Sequence, residues 1–188
     1  DEKGIDSATV KATFSVDWSF RDHPGIKTSY FRFAERSLYD WDYAIFTNRY
    51  IPPFQLKQNI WPPGNAIHNV YVDGVPVCAV IERKSNAGYL GYKALEEDRI
   101  EDALICFKEA LRENAKDEMI FYNFARALNK VGQYRKADSV LIKALELNPD
   151  FELGLMFLGN IAKAHDNTEQ AARYFEKVIS VNKKHYDA

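Results

Sequence analysis

A single pattern of apolar positions recurs three times in the second half of the chain, at a spacing of 34 residues. Its reference points are Ala103, Ala137 and Ala171, and each is followed four positions later by a large apolar residue. Further apolar residues stand seven and eight positions after each alanine. Because this spacing places all of them on one side of an α-helix, the pattern predicts three helices with matching apolar stripes.

Each of these helices follows another segment that keeps the same register. In that segment a large residue stands beside a small one, and a small residue lets two helices approach closely. The pairs are Leu90-Gly91, Phe124-Ala125 and Leu158-Gly159. Polar turns separate the two segments in all three cases, so the pattern predicts three helical hairpins. Pro149 closes the second hairpin, because proline cannot continue a helix.

The hairpins resemble tetratricopeptide repeats. The run from Ala137 to Pro149 is similar to the second helix and the closing proline of that family. The first and third hairpins depart from the family pattern, since Ala115 and Lys183 replace the closing proline. The resemblance implies an all-α solenoid that serves as a non-catalytic protein-interaction scaffold. Its three repeats are expected at residues 84–117, 118–151 and 152–185.

Residues 1–83 follow a different pattern, which predicts a small mixed α/β domain. Alternating, β-prone residues indicate strands at residues 10–16 and at Tyr43–Thr47. The Asp73-Gly74 pair is typical of a two-residue turn, and it joins two further expected strands at residues 67–72 and Val75–Glu82.

Two helices are predicted in the same region. Residues 29–37 have a helix-like spacing of apolar side chains, and a short helix is expected within residues 51–64, between two pairs of prolines. Residues 22–25 are expected to form a turn. The chain as a whole is therefore predicted to be an α+β protein, with the small mixed domain over 1–83 and the three hairpins over 84–188.

Several phrases within residues 25–83 resemble the soluble tail of bacterial membrane proteins of the protein-mannosyltransferase type. They include residues 40–45, Trp61-Pro62-Pro63 and residues 72–78. The resemblance implies an extracytoplasmic, periplasmic accessory domain that helps a membrane glycosyltransferase to hold its acceptor or carbohydrate. The membrane-embedded catalytic part then belongs to a longer parent protein, an interpretation that also suits the missing initiator methionine.

Composition narrows the function classes. Hydrophobic residues make up 46% and charged residues 28% of the chain, as in ordinary globular proteins. The net charge of -2 argues against binding to nucleic acid, which needs a concentrated basic face. No run of about 18 apolar residues occurs, so no membrane span is predicted in this chain, although the parent protein could be membrane-anchored.

The sequence predicts no catalytic residue, no metal and no cofactor. Metal ligands usually cluster at short spacings, whereas the histidines here are scattered. Asp40 and Asp42 could form an acid–base pair on one face of a strand, but such pairs are more often surface charges. The cysteines, Cys78 and Cys106, lie in apolar runs and are interpreted as small buried hydrophobic residues. The scattered histidines are His23, His68, His165 and His185.

The repeat register predicts a binding surface, because the first helices of stacked repeats line a concave face. Their inward positions carry aromatic, amide and basic side chains. Such a surface suits an extended peptide, since Tyr and Met offer apolar contacts, Asn pairs with backbone amides, and Arg or Lys meets a carboxylate. The predicted peptide-binding groove, called the groove below, consists of Tyr92, Tyr122, Asn123, Arg126, Asn129, Lys130, Met156, Asn160 and Lys163.

Alternatives to this groove are open. Chaperone-binding members of the family hold a carboxylate with a Lys and Asn set that begins in repeat one, where this chain has Gly88 and Tyr92, so chaperone binding is not predicted. The same face could instead be the solvated surface of a spacer, with Arg126 paired to an acid such as Glu96. A third alternative is a catalytic α+β domain that the repeats regulate.

The expected partner is a protein or peptide of unidentified sequence. The third hairpin ends near His185 without a polar capping helix, so apolar residues such as Tyr174 and Val178 are expected to be partly uncovered. Self-association through this end of the chain is one expected consequence.

Overall fold

The computed structural model of the chain describes residues 8–12, 26–30, 35–47, 62, 66–83, 85–113 and 116–186. The chain divides into two compact units, Asp1–Tyr89 and Leu90–Ala188. Strands occur in the first unit, and helical hairpins make up the described part of the second, so the predicted α+β class is confirmed.

The first unit contains a sheet of mixed direction. In the described residues its five strands follow the order β2-β1-β3-β5-β4. The pairs β1–β2 and β1–β3 are parallel, whereas β3–β5 and β4–β5 are antiparallel. The strands are β1 (Ala8–Ala12), β2 (Ile26–Tyr30), β3 (Tyr43–Thr47), β4 (Ala66–Val72) and β5 (Val75–Glu82).

Two sequence predictions in this unit are confirmed closely. The predicted strand Tyr43–Thr47 is β3, and its alternate residues Ala44 and Phe46 are buried with Trp41 and Ile81. The predicted hairpin is β4–β5, and its turn residues Asp73 and Gly74 have φ angles of 49° and 77°. Positive φ at both positions suits a tight turn between twisted strands.

The predicted helix over residues 29–37 is wrong. Its first two residues belong to β2, which pairs with β1, and residues 35–38 form a turn in which Leu38 N donates to Glu35 O over 2.8 Å; residues 31–34 lie outside the described residues. The apolar spacing of residues 29–37 is compatible with a helix, but residues 29 and 30 instead pair with β1, a distant segment of the chain.

The predicted strand over 10–16 overlaps β1 up to Ala12, and its remaining residues lie outside the described part of the chain. The predicted turn at 22–25, and the short helix within 51–64 apart from Pro62, also lie outside them.

Six helices follow in the described residues. Consecutive helices from α2 onwards pack against one another, as stacked hairpins require. The predicted helical hairpins are thereby confirmed. The helices are α1 (Ala87–Glu96), α2 (Ile100–Glu113), α3 (Glu118–Lys130), α4 (Tyr134–Leu147), α5 (Glu152–Ala164) and α6 (Thr168–Tyr186).

Local signals explain where the middle hairpin begins and turns. Asp117 precedes α3, and its carboxylate accepts a hydrogen bond from Met119 N over 3.0 Å, which satisfies an amide that the helix leaves unpaired. Gly132 follows α3 with a φ of 73°, a conformation that glycine adopts without steric cost. Both residues set the position of α3, which carries the middle part of the groove.

The repeated alanines are buried. Ala103, Ala137 and Ala144 have exposures of 0%, and Ala171 has 4%. Leu141 is also fully buried and packs with Ala125 and Leu128 in a cluster that joins repeats two and three. The matching stripes are therefore the core of the solenoid.

The expected exposure at the last hairpin is wrong for Val178. This side chain is 8% exposed and packs with Leu155 and Val181, because α6 runs for 19 residues and brings Val181 onto α5. Tyr174 is half-buried, whereas Ile179 is 67% exposed. Self-association through this end stays a prediction. Within the described residues, none of the helices has the length and apolar character needed to cross a membrane.

Candidate functional site

Arg126 lies in the middle of the groove and is held from several sides. Its Nη1 donates to Asn123 Oδ1 over 2.9 Å, and its Nη2 donates to Glu96 Oε1 over 3.1 Å. The guanidinium carbon lies 5.9 Å from the centre of the Tyr122 ring. The pairing with Glu96, which the sequence offered as the alternative to ligand binding, is therefore present.

A second ion pair lies beside the first. Lys130 Nζ is 2.6 Å from Asp98 Oδ1, and the two side chains are 47% and 77% exposed. In both pairs the acid belongs to repeat one and the base to repeat two. Two of the three cationic residues of the groove are thus neutralised within the protein, although exposed pairs of this kind contribute only about 0–1 kcal/mol to folding.

Two predicted groove residues of α3 are largely structural. Asn123 is only 2% exposed and accepts a hydrogen bond from Arg126, so its amide is not accessible to a ligand. The Tyr122 ring makes edge contacts with Phe151 and Phe157, at centroid distances of 5.8 and 6.0 Å. Sequence spacing predicts the helix of both residues correctly, but it does not predict their burial.

The first helix of repeat three presents the most open part of the groove. Met156 is 42% exposed, and both Asn160 and Lys163 are exposed on the same side of α5, four and seven positions further on. Among the described residues, Lys163 has no ion-pair partner. Repeat three therefore combines an apolar, an amide and a free cationic side chain.

Leu153 belongs to this surface and was missed from the sequence. It lies one helical turn before Met156 and is 45% exposed. The repeat register contained a partial signal, because Leu153 matches Met119 of repeat two. Met119 is only 6% exposed, so the register alone does not distinguish the exposed Leu153 from its buried equivalent.

The remaining groove residues are intermediate in their exposure to solvent. Tyr92 on α1 and Asn129 on α3 are half-buried. The structure thus joins Arg126 and Lys130 to repeat one through ion pairs, and it places Met156, Asn160 and Lys163 in one open row on α5.

Asp40, one of the two acids beside Trp41, forms an ion pair. Asp40 Oδ1 lies 2.9 Å from Arg83 Nη1, and the Arg83 guanidinium stacks 4.4 Å from the Trp41 ring centre. Arg83 also donates to the backbone oxygen of Tyr39. Burial lowers the pKa of Arg83, and the charges of Asp40 and Asp42 oppose this shift. Asp40 is therefore the counter-ion of a buried arginine.

The cysteines and the potential metal ligands are the other candidate groups. Cys78 and Cys106 are free, and burial raises the pKa of both thiols, which favours their neutral form. No cluster of three His, Cys, Asp or Glu side chains that could hold a metal occurs in the part of the chain that the structure describes.

An open pocket of about 560 Å³ lies between the turns of repeats two and three. The rings of Tyr134 and His165 meet there edge to face at 5.8 Å. Asp138 also lines the pocket, but its Oδ1 is buried without a hydrogen-bond partner. Burial raises the pKa of Asp138, and His165 opposes the shift only in part. The repeat register places the apolar Leu104 at this position in repeat one, so Asp138 is a half-buried acid where another repeat carries an apolar residue.

We expect Asp138→Leu to stabilise the protein by about 1 kcal/mol at neutral pH, because it removes a half-buried charge without a partner. Since the folded-state pKa is raised, the Asp138 penalty is absent below the unfolded-state pKa and grows as pH rises through the folded-state pKa. The gain in unfolding free energy should therefore be larger at pH 7 than at pH 3. Urea denaturation checks this, with Glu109→Leu on the exposed side of α2 as the control. A loss of stability at pH 7 would contradict it.

The comparisons with known proteins agree with this architecture. The family described as Tetratricopeptide repeat matches residues 120–151 and 154–185, which fall within the second and third predicted repeats. The second and third hairpins therefore match tetratricopeptide repeats, and the first helices of these hairpins carry most of the predicted groove residues.

Solved structures share this fold. A crystal structure of MamA is 18% identical with a TM-score of 0.53, over 55% of this chain and 60% of MamA. A MamA RS-1 ArsTM double mutant is 20% identical with a TM-score of 0.53, over 55% and 58%. The TPR2B domain of yeast Sti1, in complex with pHsp70, is 18% identical with a TM-score of 0.51, over 54% and 81%.

These similarities cover only part of each MamA chain and have low sequence identity. The chain spans about three fifths of the MamA chains that it matches, and the low identities show a shared fold alone. The comparisons give no support to the mannosyltransferase resemblance of residues 25–83, and the periplasmic location that it implied stays a prediction.

Proposed function

We propose that this protein is a non-catalytic scaffold that binds an extended peptide or protein segment along the groove, with repeat three as the principal anchor. The observation that carries the proposal is the open row on α5. Leu153 and Met156 are nearly half exposed there, and a polar Asn160 and an unpaired Lys163 continue the same face. Exposed apolar side chains beside a free cation form a surface that suits a ligand better than a spacer.

The chemistry of the row suggests how such a segment lies. Leu153 and Met156 offer contacts to an apolar ligand side chain, and Met adapts its shape to different ligands. The Asn160 amide can pair with a peptide group of the ligand backbone. Lys163 is then the natural contact for a ligand carboxylate, because charge-assisted hydrogen bonds are among the stronger ones.

A structural neighbour supports binding by this kind of fold. The Sti1 domain with a TM-score of 0.51 was solved in a complex with pHsp70. Its ligand is not transferred to this chain, which has Gly88 and Tyr92 where chaperone-binding members carry their Lys and Asn. The partner proposed here is instead a segment with an apolar residue close to an acidic group.

The proposal is tested with the full chain on an array of short peptides, followed by affinity measurement for the best binder by calorimetry. Lys163→Glu should weaken that binder about ten-fold or more, because it replaces an attractive contact by a repulsive one. Met156→Ala should weaken it several-fold, by about 1 kcal/mol of lost apolar contact.

Lys143→Glu is the matched control, since Lys143 is exposed on α4, outside the first-helix row, and carries the same charge change. Equal weakening by Lys143→Glu and Lys163→Glu would indicate a general charge effect and contradict the proposed site. Unchanged binding in both Lys163→Glu and Met156→Ala, with melting temperatures equal to that of the parent, would also contradict the proposed site.

A further inference from the structure

Two acids of repeat one lie against the cations of repeat two. Glu96 is the last residue of α1, and Asp98 lies in the turn that follows. Their carboxylates lie 3.1 Å from Arg126 Nη2 and 2.6 Å from Lys130 Nζ. Both acids remain partly open to solvent, with side-chain exposures of 49% and 77%. The groove therefore presents two rows of opposite charge across repeats one and two, and a single free cation in repeat three.

We propose that Glu96 and Asp98 determine the charge selectivity of the groove, an inference that rests on the proposed function. Their negative charges oppose any ligand carboxylate that approaches Arg126 or Lys130. The favoured ligand is accordingly a segment whose acidic group lies over Lys163, and whose part over repeats one and two is neutral or basic. A uniformly acidic segment is rejected by this half of the groove.

The side chain of Arg126 keeps its place without Glu96. Its Nη1 bond to the buried Asn123 amide and the Tyr122 ring hold the guanidinium independently of the acid. Arg has five N–H donors, and the bonds to Asn123 and Glu96 use only two of them. Neutralising Glu96 thus removes a competitor from a cation that stays positioned for a ligand.

The chain offers a matched control in the same repeat. Glu97 and Asp102 are also acids of repeat one, but both pair with Arg99, at 2.7 and 2.5 Å, rather than with the groove. Replacing them by Gln and Asn changes the net charge by the same amount as replacing Glu96 and Asp98. A difference between the two double variants then reports position and not net charge.

The experiment uses the full chain and two N-acetylated test peptides. One contains leucine followed by four aspartates with a free carboxyl end, and the other has asparagines and an amidated end. Glu96→Gln with Asp98→Asn should bind the acidic peptide about ten-fold more tightly than the parent at low salt, because each nearby like charge changes affinity several-fold. The gain should shrink at about 0.5 M salt, where such charges are screened. The gain in affinity should be absent for the neutral peptide, and it should also be absent in the variant Glu97→Gln with Asp102→Asn.

Three outcomes would overturn the inference. They are an unchanged or weaker affinity in Glu96→Gln with Asp98→Asn, an equal gain in the control variant, and absence of binding to the acidic peptide by every form. The last outcome also separates the two proposals. If the peptides selected on the array still bind and depend on Lys163, only the selectivity inference is wrong; if they do not, the proposed function is wrong as well.

Discussion

Phe107→Ala is expected to lower the free energy of unfolding by about 3–5 kcal/mol, the range for removing a buried aromatic ring from a packed core. Phe107 is 1% exposed on α2. Its ring centre lies 6.3 Å from that of Phe124 on α3, so it joins the first hairpin to the second. Because whole domains are stable by only about 5–15 kcal/mol, this loss is a large fraction of the total.

The loss should be measured by urea denaturation followed by helical circular dichroism. Ile105→Ala is the control on the same helix, since Ile105 is 64% exposed and its truncation should cost less than about 0.5 kcal/mol. Similar effects of the two variants would contradict the packing described for α2. A changed dependence on urea in Phe107→Ala alone would indicate that the first hairpin unfolds separately.

The helical part of the fold could be predicted because its information is local and repeated. Ala103, Ala137 and Ala171 mark one register, and all three are buried. Because the same register recurs in the other two repeats, Leu90-Gly91 is enough to predict the position of α1.

The sheet of the first unit could be predicted only in part. The β4–β5 hairpin is encoded locally by Asp73-Gly74, and β3 has its own alternation. By contrast, β2 pairs with β1 in parallel, with a long connection between the paired residues. A periodicity argument does not identify such partners, and the apolar spacing of residues 29–37, which overlap the end of β2, predicts a helix instead.

The groove, too, could be predicted from the sequence only in part. Sequence register assigned Arg126, Met156 and Lys163 to first-helix positions, because the 34-residue period carries that information. It could not show that Asn123 is buried or that Lys130 pairs with Asp98, since these contacts depend on the approach of neighbouring hairpins. Because Arg126 and Lys130 are engaged in these ion pairs, the open row of repeat three is the better candidate for the anchor.

Gly159→Ala is expected to destabilise the protein by about 1–3 kcal/mol, although alanine normally favours a helix by nearly 1 kcal/mol over glycine. A Cβ at Gly159 would lie 2.5 Å from Cε1 and 2.8 Å from Cζ of the Phe175 ring. These distances are well inside van der Waals contact, so α5 and α6 would have to separate or the ring would have to move.

A second substitution should identify the ring as the cause. In the Gly159→Ala background, Phe175→Leu removes the atoms that clash, so the double variant should be more stable than the sum of the two single effects predicts. Thermal and urea unfolding of the four forms give this coupling energy. Asn160→Ala, at the neighbouring exposed position, controls for the helix preference of alanine and should change stability by less than about 0.5 kcal/mol. Additive effects, or a Gly159→Ala variant more stable than the parent, would show that the helices of the third hairpin are not packed through this glycine.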